Sequence, residues 1–131
     1  MKIINSSGKR KTAIARATLK EGNGKVNVNN EMLENIEPSI SRMKIKEPLI
    51  LAGETAKKLD IDVDVKGGGY NAQAEAARVA ISRALIKYDS KLERIFLDYN
   101  RSLLVSDVRR KECAKPNSRG RARAKRQKSY R

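Results

Sequence analysis

Gly67-Gly68-Gly69, followed at once by Tyr70-Asn71-Ala72-Gln73, is the stretch of this chain whose residue types and spacing point most directly to chemistry. Glycines at a strand exit permit positive φ and let another backbone come close, and the free amides of a helix start can face phosphate oxygens. Gly67, Gly69 and Ala72 fit the loose dinucleotide fingerprint G-x-G-x-x-G/A. Against that reading, the preceding strand carries aspartates along one whole face, where a buried parallel strand would be continuously apolar. The acidic residue wanted about twenty positions later on a second buried strand is also missing, since Asp89 sits in a polar connector. Asp60-x-Asp62-x-Asp64 imitates the start of a calcium loop, but Val65 stands where that loop needs glycine and Asn71 where it needs glutamate. A turn required by packing and a cradle for a nucleic-acid backbone both remain open for the triplet.

The second concentration of chemistry is cationic. Thirty Lys and Arg face fifteen Asp and Glu, a net charge of +15. From Arg109 onward there are eleven basic residues and one acid, Glu112, so this segment supplies +10 and residues 1–108 only +5. A near-ordinary globular body with a cationic tail implies a polyanionic partner. The chain has no histidine, which removes the commonest general base and metal ligand, and no nucleophile stands beside a partner that could activate it. Neither an enzyme nor a bound cofactor or metal is expected. The single Cys113 excludes an internal disulfide and fits a reducing compartment. No apolar run approaches the ~20 residues of a membrane span and no signal-peptide pattern opens the chain, so a soluble, cytoplasmic protein without a membrane partner is expected.

The elements that must position these groups follow from periodicity. With 131 residues, one domain is expected. Lys2–Ile4 is a short apolar start and Asn5-Ser6-Ser7-Gly8 reads as a turn. From Arg10 to Lys20, Ala13, Ala15, Ala17 and Leu19 share one strand face, while Arg10, Thr12, Ile14, Arg16 and Thr18 share the other. Ile14 on that second face suggests partial cover there too. Glu21-Gly22-Asn23-Gly24-Lys25 reads as a hairpin loop returning through Val26 and Val28. Short helices are predicted around Met32–Ile36, over Ser39–Ile45, and from Pro48 through Ala56, with Pro48 in a first turn. Ile61, Val63 and Val65 alternate with Asp60, Asp62 and Asp64 as a half-buried strand. A long helix runs from Tyr70 and Asn71 to about Tyr88, with Ala77, Ile81, Ala84, Leu85 and Tyr88 as its stripe and Arg83 and Lys87 on one polar flank. Ser90-x-x-Glu93 reads as a capping box for a helix bearing Leu92, Ile95, Phe96 and Tyr99 on one face. Leu103–Val105 is a last strand or buried connector, and Asp107 marks the edge of the body. The fold class is α/β (α+β), a mostly antiparallel sheet backed by helices.

The nineteen residues from Gly67 to Leu85 resemble the signature of the universal S-nine family of small-subunit ribosomal proteins, glycine triplet, Gln73, alanines and Arg83 included. Gly8-Lys9-Arg10-Lys11-Thr12-Ala13-Ile14-Ala15-Arg16 and the closing Gln127-Lys128-Ser129-Tyr130-Arg131 resemble the same family, the Ser-Tyr-Arg ending being similar to its archaeal and eukaryotic branch. The resemblance implies the fold of the second domain of ribosomal protein S-five, with a left-handed βαβ crossover that general handedness rules would not predict. It implies a structural role in translation, as a ribonucleoprotein component: binding rRNA in the head of the small ribosomal subunit beside other proteins of the head, and reaching transfer RNA in the peptidyl site. The rRNA-binding residues it implies are Lys9, Arg10, Lys11, Arg16, Gly67, Gly68, Gly69, Gln73, Arg83, Arg109, Arg110, Lys111, Lys115, Arg119, Arg121, Arg123, Lys125 and Arg126. For tRNA they are Lys128, Ser129, Tyr130 and Arg131.

The division expected is a globular RNA-binding body at 1–108 and an extended basic tail at 109–131. The tail contains no Ile, Leu, Val, Phe or Met, so little burial can offset the ~1–2 kcal/mol per residue that backbone ordering costs; alone in water it should be disordered. Its cations would neutralise successive phosphates, and arginine adds bidentate bonding and stacking on unpaired bases. The chain departs from the family pattern at Val108, where a proline is usual, at Cys113-Ala114 and Pro116-Asn117-Ser118, and at Arg126, where an aromatic is usual. Arg131 would place a guanidinium beside a free carboxylate, a poor rRNA anchor but a suitable tip for a crowded cleft. Two other classes fit parts of the chain: a free nucleic-acid chaperone or chromatin-like condenser using the same tail, and a nucleotide-binding enzyme built on the glycine loop.

Overall fold

A computed structural model describes residues 2–117, 120, 122 and 123. Five strands, β1 (Ile4–Arg10), β2 (Ala13–Glu21), β3 (Val26–Val28), β4 (Glu31–Met32) and β5 (Leu59–Lys66), form one sheet in the order β1-β2-β5-β3-β4. Only the β3/β5 pair is parallel, so the sheet is mostly antiparallel and the fold α+β, as the periodicity predicts. Helix α1 (Ser39–Ala52) and the short α2 (Glu54–Lys57) connect that parallel pair, which gives the βαβ unit. Helix α3 (Tyr70–Tyr88) lies across β1, β2 and β5, with α1 and α4 (Leu92–Tyr99) beside it.

The predicted stripes make the core. Ala13, Ala15, Ala17 and Leu19 of β2 and Leu59, Ile61, Val63 and Val65 of β5 are buried on the helix side, under Ala77, Ile81, Ala84 and Leu85 of α3. Their small side chains let the helix sit close, and Gly8 shows how close. A β-carbon added there would lie 2.6 Å from the Ala76 carbonyl oxygen and 2.7 Å from the Ala80 nitrogen. Gly8 therefore belongs to a strand and not to the predicted turn: Asn5–Gly8 pairs with β2 from Ala15 to Thr18. The reversal comes at Lys11-Thr12, with Lys11 at φ 54°. This hairpin puts Arg10 on the helix-facing side, opposite to the expectation that it shares a face with Ile14 and Arg16. Ile14 is 48% exposed, so its side of the sheet is open rather than covered.

Three further expectations change. The loop at 21–25 is not a hairpin, because β5 inserts between β2 and β3. Asp60 explains the path: its Oδ1 accepts from the Asn23 and Lys25 amides at 2.9 and 3.1 Å, carrying the chain across the end of β5. Helix α1 runs unbroken through Pro48 instead of restarting there. An interior proline costs about 3 kcal/mol, offset here by burial of Ile45, Pro48 and Ala52 along one face. Ser90 and Glu93 form no capping box, since Asp89 Oδ1 accepts the Lys91 amide at 3.1 Å and α4 has no side-chain cap. Leu92 and Phe96 of α4 are buried, but Ile95 and Tyr99 are 45% and 55% exposed. Leu103 is buried in a 3-10 turn at Arg101–Leu103, not in a strand.

The Asp60 tie has a consequence in acid. The Lys25 and Asn23 amides hold its carboxyl below the ordinary range. Burial raises the Glu75 carboxyl, but hydrogen bonds from Arg10 and Lys44 outweigh it and hold this group low too. A folded-state pKa below the unfolded value gives stability that is present above the unfolded pKa and lost as pH falls through the folded one. The melting temperature should therefore fall steadily below about pH 4. Asp60→Asn should melt lower than the parent at pH 6 and lose less on acidification to pH 3, as measured by circular dichroism.

Candidate nucleic-acid interface

At one end of the sheet the β1–β2 hairpin tip, the glycine turn and the residues leaving the body come together. Gly67 and Gly68 have φ of 81° and 65°, a region that side chains rarely adopt. A β-carbon on Gly67 would lie 2.6 Å from the Thr12 carbonyl oxygen, so the hairpin tip rests directly on the turn. Gly69 differs: its φ is −93° and a β-carbon there would meet nothing within 4 Å. The triplet thus divides its work, Gly67 and Gly68 meeting the packing requirement and Gly69 standing open to an approaching ligand. Gln73 Nε2 donates to the Gly67 carbonyl at 3.1 Å, which braces the turn against the first turn of α3.

Arg10 fixes where the chain leaves the body. Its Nε donates to Glu75 Oε2 at 2.8 Å, its Nη1 to the Arg109 carbonyl at 3.2 Å, and its Nη2 lies 3.6 Å from Asp107 Oδ2. Hydrogen bonds from Arg109, first its side chain and then its amide, hold the Asp107 carboxyl far below the ordinary carboxylate range. Arg110 Nη2 donates to the Lys11 carbonyl at 2.9 Å. These ties lay the start of the basic segment along the hairpin tip, and a cleft of about 700 Å³ lined by Arg10, Lys11, Thr12, Arg109, Arg110 and Lys111 lies between them. A second hollow of about 360 Å³ opens on the bare sheet face among Ile14, Arg16, Asn29, Asp64, Lys66 and Gly67.

The residues singled out in the sequence fall into two groups. Lys9, Lys11, Arg16 and Lys111 are exposed and have no ion-pair partner among the described residues. Arg10 and Arg83 are structural ties. Arg83 Nε donates to the Leu104 carbonyl at 2.9 Å and Nη1 to the Ser7 carbonyl at 3.0 Å, while Lys87 Nζ donates to the Asn5 carbonyl at 2.9 Å. Together Arg83 and Lys87 occupy carbonyls on the free edge of β1, a strand that would otherwise invite pairing with another chain. Lys115 and Arg123 pair with Glu112 at 2.7 and 2.9 Å. Exposed pairs of that kind are worth about 0–1 kcal/mol, and phosphates can replace the carboxylate. From Ser106 to Lys115 there is neither helix nor strand. Arg119, Arg121, Lys125, Arg126, Lys128, Ser129, Tyr130 and Arg131 lie outside the described residues.

Sequence reasoning missed Lys66, the cation beside the triplet on the open face; its place at the end of an alternating strand was the available signal. The two groups should separate experimentally. Arg16→Ala should leave the melting temperature unchanged and reduce the slope of log affinity for RNA against log salt by one contact, roughly 0.7–0.9. Arg83→Ala should lower the melting temperature, because it leaves two carbonyls without their donor.

The chain also matches known proteins. A family model described as ribosomal protein S9/S16 matches residues 8–131. The chain is 52% identical over 134 residues to the small ribosomal subunit protein uS9 of Methanococcus maripaludis (strain C7), covering all of both chains. It is 53% identical over 133 residues, again with full coverage of both, to the protein of the same name from Methanothrix thermoacetophila.

Proposed function

The chain belongs to the ribosomal protein S9/S16 family, a structural and non-enzymatic component of the small ribosomal subunit, and from that premise we propose that it binds small-subunit rRNA with two connected surfaces and touches peptidyl-site tRNA with the end of its tail. The observation that carries the reading is the gathering of exposed cations from three distant segments at one end of the sheet. Lys9 and Lys11 come from the hairpin tip, Arg16 and Lys66 from the open face, and Arg109, Arg110 and Lys111 from the start of the basic segment. Gly69, open beside them, lets a sugar-phosphate backbone approach the turn. Phosphates 5–7 Å apart along RNA need cations delivered at intervals from different elements, which this arrangement does. The contacts are largely to phosphate, so affinity is strong and salt-sensitive, and the fold of the RNA supplies selectivity.

Residues 109–131 follow the RNA between its helices as an extended basic tail ordered by binding, and residues 1–108 act as the RNA-binding body. Lys128, Ser129, Tyr130 and Arg131 form the tip at the anticodon stem-loop of tRNA in the cytoplasmic small subunit's peptidyl site, Arg131 and Lys128 pairing with its phosphates. Deleting Ser129–Arg131 tests the tip separately from the rest. Assembly and folding should be nearly intact, and tRNA should leave the peptidyl site about tenfold faster, the loss of one charge-assisted hydrogen bond of about 1.5 kcal/mol. Failure of the truncated chain to assemble, or unchanged tRNA dissociation at matched salt, would make the tip an rRNA anchor.

A further inference from the structure

One surface of the molecule is unsuited to RNA. Helix α1 buries Ser41, Ile45, Pro48 and Ala52 and carries Ile40, Met43 and Ile50 on its opposite side, 64%, 63% and 74% exposed. Steps of three and seven residues put them on one stripe. At the end of the stripe Ile50 enters a groove of about 820 Å³ between α1 and the β3–β4 region, where Val26, Leu33 and Leu49 line the floor and Met32, 56% exposed, stands opposite. Lys25, Lys46 and Lys57 stand at its rim with a single lining carboxylate, Glu34. Lys57 pairs with Glu54, whereas Lys25 and Lys46 have no ion-pair partner among the described residues. Contiguous apolar surface rimmed by polar groups marks a docking site.

We propose that this groove docks an amphipathic helix of a neighbouring protein in the small subunit, with aliphatic anchors against Ile50, Met32 and Leu49 and acidic side chains toward Lys25 and Lys46. The identity of the partner as a subunit protein rests on the family assignment; the docking chemistry does not. The lining residues include no arginine and no aromatic ring, the groups that grip phosphate and stack on bases. A methionine and branched aliphatics instead accommodate a helix's apolar ridge. A second copy of this chain is a poor occupant, since it brings a net charge of +15 to a lysine rim. Lysines favour an acidic partner through complementarity and suppress basic ones.

The test places a photoreactive p-benzoylphenylalanine at position 50 of the full chain, assembles it into small subunits and identifies the adduct by mass spectrometry. The expected adduct is on a protein helix with apolar residues at three- and four-residue spacing and Asp or Glu flanking them. An adduct on rRNA, on a second copy or on a basic segment, or no adduct, overturns the proposal. In parallel, Ile50→Glu with Lys46→Glu, both away from the core, should reduce occupancy of the crosslinked protein in purified subunits tenfold or more, with unchanged affinity of the free chain for small-subunit rRNA. Unchanged occupancy, or a loss of rRNA affinity instead, overturns it as well. The rRNA reading fails separately, on the salt dependence of the unaltered chain.

Discussion

Removal of residues 109–131 should flatten the slope of log affinity for small-subunit rRNA against log salt by roughly 4 units, if about half of the segment's cations meet phosphates at 0.7–0.9 per contact. The segment holds eleven of the thirty basic residues and one acid, Glu112. Counterion release is set by the number of phosphates neutralised and not by the quality of any single contact, so the slope counts contacts where affinity alone would not. The body keeps Lys9, Lys11, Arg16 and Lys66, and a residual slope should remain that Arg16→Ala reduces further. At low salt the truncated chain should bind within reach of the full one, and at 0.2 M it should fall away by orders of magnitude. Filter binding or fluorescence anisotropy across a salt series measures both. An unchanged slope would place the whole binding surface on the body.

The largest effect on folding is expected at Gly8. Gly8→Val puts branched carbon where the Ala76 carbonyl oxygen and the Ala80 nitrogen stand 2.6 and 2.7 Å from the first added atom. Both are helix backbone, held by the hydrogen bonds of α3, so they cannot turn aside as a flexible side chain would. Either β1 lifts from α3, taking the Arg83 and Lys87 ties with it, or the strand separates from β2. Overpacking of this kind costs about 3 kcal/mol or more, a large part of a stability of about 5–15 kcal/mol. The melting temperature should drop by about 10–20 °C. Gly69→Ala is the control. With open space around it and φ outside the left-handed region, it should melt like the parent, and any loss it shows should be in rRNA affinity. Gly68→Val, at φ 65° and with Ala13 3.1 Å away, should resemble Gly8→Val in direction. If Gly68→Val melts normally and loses only RNA binding, the triplet's structural role has been misjudged.

How much of this was legible in the sequence depended on the range of the interaction. The stripes of β2, β5 and α3 follow from local period, and Leu19, Ile61, Val63, Ile81 and Leu85 are buried as that period requires. The loop at 21–25 has the composition of a hairpin, but its path is decided by Asp60, more than thirty residues away, and no local pattern announces that β5 will take the place beside β2. Gly8 followed Asn5-Ser6-Ser7 and had the composition of a turn; its reason for being glycine lies on α3. Pro48 is a local stop signal overridden because one face of α1 is buried on both sides of it. In the interface the cations were visible as a composition, and the glycine turn as a motif. The division of labour among them was not. Arg10 and Lys11 are neighbours of the same charge, yet the Arg10 guanidinium is turned to Glu75 and Asp107 while Lys11 faces solvent. That difference depends on partners 65 residues and more away, and on a hairpin reversal that puts adjacent side chains in different surroundings.

The central claim is that rRNA holds the body and the tail while the tail's end meets a tRNA. A cryo-electron microscopy reconstruction of small subunits carrying this chain, with tRNA in the peptidyl site, tests it most directly. The account predicts Lys9, Lys11, Arg16 and the cations from Arg109 onward within hydrogen-bonding distance of rRNA phosphates, Gly69 against an RNA backbone, and Lys128 and Arg131 on the phosphates of the anticodon stem-loop. A map in which the open sheet face and the basic segment lie in solvent, or in which the last residues fold back onto rRNA with no tRNA contact, would contradict it.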